Sequence, residues 1–133
     1  MSLLLRQPWL RAVPAVVYAG LVFYGGTAQA PLLPPTPVLS SDKVLHGLAF
    51  AGLEGLFELW GLELQAKARR VAAVCASIAL GGLLELVQLA LPYRSADWFD
   101  WMADAIGAVF GALFITLLAR TALARGLGAW LWH

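Results

Sequence analysis

The chain has 133 residues, of which 61% are hydrophobic and 13% charged, with a mean hydropathy of +0.77, one cysteine and a formal net charge of +1. Soluble domains are nearer half apolar and a quarter charged, and a domain this small keeps much of its surface in water, so the apolar excess cannot be hidden in a core. The composition therefore excludes disorder and an ordinary cytosolic globule, the near-neutral charge gives no basic field for nucleic acid, and the lone Cys75 excludes an internal disulfide or a cysteine-based zinc site; a single small integral membrane domain over residues 1–133 remains.

The first apolar run, about Leu10 to Ala28, contains Arg11, follows Arg6 and ends in Ala28-Gln29-Ala30. This layout imitates a secretory signal with an A-x-A site, but Pro31 directly after the cut disfavours cleavage, so the run is read as a retained first span. Pro31, Pro34, Pro35 and Pro37 then impose an extended, non-helical loop.

Ser40, Ser41 and Asp42 offer N-caps to the second run, Val44 to Leu64. Around and within it stand Lys43, His46, Glu54 and Glu58, with His46, Phe50 and Glu54 on one i+4 row. A charge at mid-membrane costs about 2.5–3.5 kcal/mol, whereas each Leu or Phe returns only about 0.3–0.6 kcal/mol. The second helix is marginal alone, and its acids must pair with neighbours, face water or be protonated.

The third run, Val71 to Leu91, follows Lys67, Arg69 and Arg70, carries Glu85 and Gln88 at i, i+3, and stops at Pro92. The fourth, Trp101 to Ala119, is capped by Ser95 or Asp97. Asp97, Asp100 and Asp104 fall on one stripe, which Gly107 and Gly111 continue as a helix-packing surface. Trp130 and Trp132 in the tail suit a membrane interface.

Each run is long enough to cross a bilayer, and only helix satisfies the backbone of such a segment in lipid. The expected fold is all-α, a four-transmembrane-helix bundle. Arg6, Arg11, Lys67, Arg69, Arg70, Arg120 and Arg125 fall on one side and only Lys43 and Arg94 on the other, which places both termini in the cytoplasm.

On that topology His46 lies about three residues inside the outer boundary, and Glu85 and Asp104 about six, so all three are roughly 5–10 Å below the outer surface. Ionisable groups from three helices at one depth point to a site. The expectation is that His46, Glu85 and Arg94 approach one another as candidate catalytic groups, with Asp97, Asp100 and Asp104 lining the same outward-opening cavity, Lys43 just above that layer as a ligand-binding candidate, and Glu54 below the cavity floor. Blander readings compete. Asp97 is also an N-cap, His46, Glu85 and Arg94 also fit a buried structural network, Glu58 fits a structural role, Glu63 an interfacial one, and Cys75 an inert small residue.

The same residues carry a family resemblance. The segment from Ser41 to Phe50, with Asp42, Lys43, His46 and Phe50, resembles the D-K-x-x-H-x-x-x-F segment of the VanZ-like family; Glu85-Leu86-Val87-Gln88 resembles its E-x-x-Q. Arg94 with the aspartates that follow resembles its R-x-x-x-x-D block, and Asp104 with Gly107 and Gly111 its N-x-x-G-x-x-x-G ending, with Asp104 in place of the usual Asn. The resemblance runs from about residue 40 to 118. It adds Asp42 and Gln88 to the ligand-binding candidates, and implies a small multi-pass bacterial inner-membrane protein from a family named after a member associated with teicoplanin resistance.

Three function classes follow. In the first, the site binds or modifies a lipid-linked or cell-wall precursor: Lys43 and Arg94 hold a phosphate or carboxylate, His46 acts as acid or base, and Glu85, Asp97 and Asp100 orient it or hold a hard cation such as Mg²⁺. No HExxH, P-loop or serine elbow specifies a reaction. In the second, the chain is a non-enzymatic envelope accessory and the cluster holds the bundle together. In the third, Glu54 and Glu58 relay protons in a small transporter, the least favoured class because no inverted repeat is visible.

Overall fold

A computed structural model describes residues 7–29 and 41–124, and the side chains of 7–29 and 43–121. Among the described residues the chain forms four helices: α1 (Pro8–Thr27), α2 (Ser41–Trp60), α3 (Ala66–Leu89) and α4 (Trp98–Ala124). The Pro-rich loop, the caps expected at Ser40 and Ser41, the side chain of Asp42, and the tail bearing Arg125, Trp130 and Trp132 lie outside the described residues.

The helix limits differ from the apolar runs for a physical reason. An apolar run measures contact with hydrocarbon, whereas a helix ends where its backbone is turned. The third helix starts at Ala66 and takes Lys67, Arg69 and Arg70 into its first turns. The second ends at Trp60 instead of continuing to Leu64, because a turn follows in which the Gly61 N–H donates to the Phe57 carbonyl (2.9 Å) and the Leu64 N–H to the Gly61 carbonyl (2.9 Å).

The central element is α2, which packs on all three other helices and most extensively on α4, while α1 and α4 do not touch among the described residues. Small residues explain the closeness of α2 and α4. A Cβ at Gly107 would fall on the Gly47 backbone, one at Gly111 would come within 2.7 Å of the Ala51 carbonyl oxygen, and one at Gly55 within 3.3 Å of Ile115. Positions 47, 51 and 55 therefore match 107, 111 and 115, each an i+4 row, and the two helices run parallel with their N-termini at the same end. Backbones can approach this closely only where side chains are nearly absent, and dispersion and weak Cα–H contacts then supply the attraction.

α3 lays the buried row Arg69, Ala73, Ser77, Gly81, Leu84 and Gln88 against this pair. Phe50, Leu53 and Leu84 form the fully buried apolar core, with Tyr18, Val22 and Phe23 of α1 packed on it. The other faces are apolar and uncovered: Val13, Val16, Val17 and Leu21 on α1, and Val109, Phe110, Leu113, Phe114 and Leu117 on α4, are all exposed. A surface of this kind would drive association in water and is at rest in hydrocarbon. Three helices, α1, α3 and α4, are long and apolar enough to cross a membrane. α2 matches them in length, at 20 residues, but carries Lys43, Glu54 and Glu58. Its central position moves those groups away from lipid.

The end of the bundle formed by the start of α3 is tied by charge. Buried Glu58 accepts from Arg70 Nε (2.9 Å) and Arg69 Nε (3.4 Å), and Arg11 pairs with Glu63. Glu58 is thus ion-paired within the bundle, and Glu63 pairs across to α1.

Candidate functional site

The polar residues singled out in the sequence gather at the opposite end, where α2 and α4 begin and α3 ends. Asp97 is the N-cap of α4: its Oδ1 accepts from the Phe99 N–H (2.9 Å), which satisfies one of the orphan donors of the first turn. Its other oxygen, Oδ2, accepts from Lys43 Nζ (2.7 Å), and the same ammonium donates to Asp100 Oδ1 (2.5 Å). Lys43, standing beside it, holds the Asp97 carboxyl below the usual carboxylate range, and the Phe99 N–H adds to the effect.

One turn deeper, His46 Nδ1 and Asp104 Oδ1 are hydrogen-bonded at 2.8 Å. Asp104 is fully buried. It fits because Gly81 of α3 has no side chain; a Cβ there would come within 2.8 Å of Asp104 Oδ2 and 3.2 Å of Trp101. Trp101 closes the same wall by donating its indole N–H to the Ile78 carbonyl (2.9 Å). Glu85 of α3 completes the group. Its Oε2 accepts from the Asp97 backbone N–H (2.8 Å), and its Oε1 is buried with no hydrogen-bond partner among the described residues.

His46, Glu85 and Asp104 therefore converge from three helices, each presenting one ligand-type atom within 4.8 Å of the other two. The residues named in the sequence divide into two sets around this group. Lys43, Asp97 and Asp100 form an ion-paired layer above it. Arg94 and Gln88 are directed elsewhere, to the last turn of α1. Arg94 donates to the carbonyls of Ala28 (3.2 Å) and Gly25 (3.3 Å), Gln88 Nε2 to Gly26 (2.8 Å), and Tyr93 Oη to Thr27 (3.2 Å). A helix end leaves four carbonyls without intrahelical partners. Here those of Gly25, Gly26, Thr27 and Ala28 are each taken up by a side chain, with the guanidinium at the negative end of the helix dipole. Of the expected trio, His46 and Glu85 converge with Asp104 beside them, and Arg94 donates to the α1 backbone.

The hard-cation set of Glu85, Asp97 and Asp100 is also differently arranged, since both aspartates turn their carboxylates to Lys43. Glu54, two turns below His46 on the same face of α2, is fully buried beside Gly111, and both its oxygens lack hydrogen-bond partners among the described residues. A cavity of about 390 Å³ lined by Phe57, Trp60, Leu64, Arg69 and Ala73 belongs to the other end of the bundle. It starts about 15–20 Å from His46 along α2 at 1.5 Å per residue, and so is no part of the polar group.

Three contributors escaped sequence reasoning. Gly47, in an i+4 row with Ala51 and Gly55, was a legible small-residue stripe. The service of Gly81 to Asp104 needed the third dimension. Tyr93 carried no signal at all.

An imidazole held by one carboxylate and faced by a second can accept or donate a proton, bind a cation, or lock helices together. No curated protein and no solved structure matches this chain. The sequence model of the VanZ/LLP1 family matches residues 13–119, from within α1 to near the end of α4 and across every residue of the polar group, and the chain belongs to that family.

Proposed function

We propose that this membrane protein spans the bacterial inner membrane four times with both termini in the cytoplasm, and that its polar group, near the outer leaflet, binds the headgroup of a lipid-linked or cell-wall precursor. The observation that carries the proposal is the convergence of His46, Glu85 and Asp104 from three helices, one turn below the Lys43–Asp97–Asp100 layer. Ionisable groups are costly in hydrocarbon and are retained there chiefly where they act. The topology is supported by the basic residues on one side and by the exposed apolar faces of α1, α3 and α4. Family membership extends the proposal to tolerance of teicoplanin-type glycopeptides.

The test is to compare envelope lipids and wall precursors by mass spectrometry, and growth on teicoplanin, in cells with the chain, without it, and with His46→Ala at equal membrane level. The expected result is a precursor change and altered tolerance that require the chain and vanish with His46→Ala. Identical precursor profiles in all three strains refute the reading.

A second reading is supported by a separate observation. The side chains of Arg94, Gln88 and Tyr93 donate to the end of α1, and Lys43 is held between two aspartates. A network so committed to its own backbone suits a non-enzymatic accessory that presents a stable surface to an envelope partner. In that case His46→Ala lowers the amount of folded protein before it alters any precursor.

A further inference from the structure

We propose that His46, Glu85 and Asp104 bind one divalent transition-metal ion of the zinc type. The donor set decides the class. Imidazole nitrogen with two carboxylates suits zinc and its first-row neighbours, whereas magnesium takes oxygen ligands and keeps its waters. The spacing suits a single ion. Ligand atoms about 2.0–2.2 Å from zinc lie about 3–4 Å from one another, and the three here lie within 4.8 Å, so small side-chain rotations close the set.

Charge supplies the second argument. Glu85 and Asp104 bring two carboxylates beside one imidazole, with Asp104 fully buried and Glu85 and His46 half-buried. The nearest ammonium, Lys43, already serves Asp97 and Asp100 at 2.7 and 2.5 Å. Arg94 serves the α1 carbonyls. A cation between the three side chains would interact favourably with both carboxylates at once. Glu85 Oε1 in particular is buried with no hydrogen-bond partner among the described residues, as an available ligand atom would be. Three ligands from the protein leave a coordination position open in a tetrahedral ion. The ion would give an anionic headgroup the positive charge that Lys43 and Arg94 do not offer; that last step alone rests on the precursor-binding reading above.

The experiment uses the full chain, purified in detergent without a polyhistidine tag and stripped with a chelator. Zinc is titrated against a competing indicator dye, and cobalt(II) absorption reports nitrogen and oxygen coordination. One equivalent of zinc is expected, together with a zinc-dependent rise in melting temperature. His46→Ala, Glu85→Gln and Asp104→Asn should each weaken binding by about tenfold or more, the scale at which even outer-shell partners of a metal matter. The chain has two histidines, so His133→Ala is the control and should bind as the parent does. Asp104→Asn keeps the side-chain shape and covers the case in which His46→Ala does not fold. Binding by the parent that is absent or unchanged in the folded variants overturns the site, as does equal competition by Mg²⁺. No precursor is present in these titrations, so their failure is separate from failure of the precursor comparison.

Discussion

His46 and Asp104 meet at 2.8 Å across the parallel pair of α2 and α4 because Gly47, next to His46, and Gly107, three residues after Asp104, let the two backbones touch. The polar contact and the glycine contact are one construction: the first exists at hydrogen-bond length because the second removes the side chains that would hold the helices apart.

Gly107→Ala tests this directly. The added methyl has no room at the Gly47 backbone, and overpacking of this kind costs about 1–3 kcal/mol. Gly20→Ala is the contrast, since nothing lies within 4 Å of a Cβ there and alanine favours helix by about 0.5–1 kcal/mol. Unfolding of the detergent-purified protein should show loss for the first and no loss for the second. Equal stability of the two variants contradicts the seam.

Arg94→Ala should release the end of α1. Hydrogen bonds involving a charged group contribute about 1.5–3 kcal/mol each, net of exchange with water, and two are made here. The expected outcome is lower stability and faster proteolysis near Ala28, with zinc affinity unchanged. Lost zinc affinity at full stability would instead return Arg94 to the polar group.

The Lys43–Asp97 pair has a defined pH signature. Asp97 is held below its ordinary value of 3.8, so its contribution is present above that value and lost as pH falls through the lowered one. The stability difference between the parent and Asp97→Asn should stay constant from about pH 8 to about pH 5 and shrink only in stronger acid. A difference that changes between those two pH values would point to another titrating partner.

Topology is open to labelling. In a Cys75→Ala background, an impermeant thiol reagent should reach Ala96→Cys, between α3 and α4, in intact cells. Ala68→Cys, in the first turn of α3, should react only after the membrane is opened. Both positions are exposed on the protein surface, so reaction of Ala68→Cys from outside refutes the proposed orientation.

Composition and the placing of charges by themselves determined that this chain is helical and membrane-bound, and where its polar residues would lie along each helix. Apolar runs report what touches hydrocarbon, and a period of 3.6 residues puts His46, Phe50 and Glu54, or Asp97, Asp100 and Asp104, on single faces whatever the neighbours are. That His46, Glu85 and Asp104 share one level of the bundle was legible for the same reason, since rise per residue is constant. Partners were not. Whether Arg94 meets Glu85 or the end of α1 depends on how the loop after Leu89 turns and where α1 stops, and both are settled by contacts between segments about 66 to 69 residues apart. Asp104 became the partner of His46 because Gly81, on a third helix, left space for it. Hydrophobic burial is non-directional and set the layers; hydrogen bonds and close backbone packing are directional and short-ranged, and only the tertiary structure could choose among them.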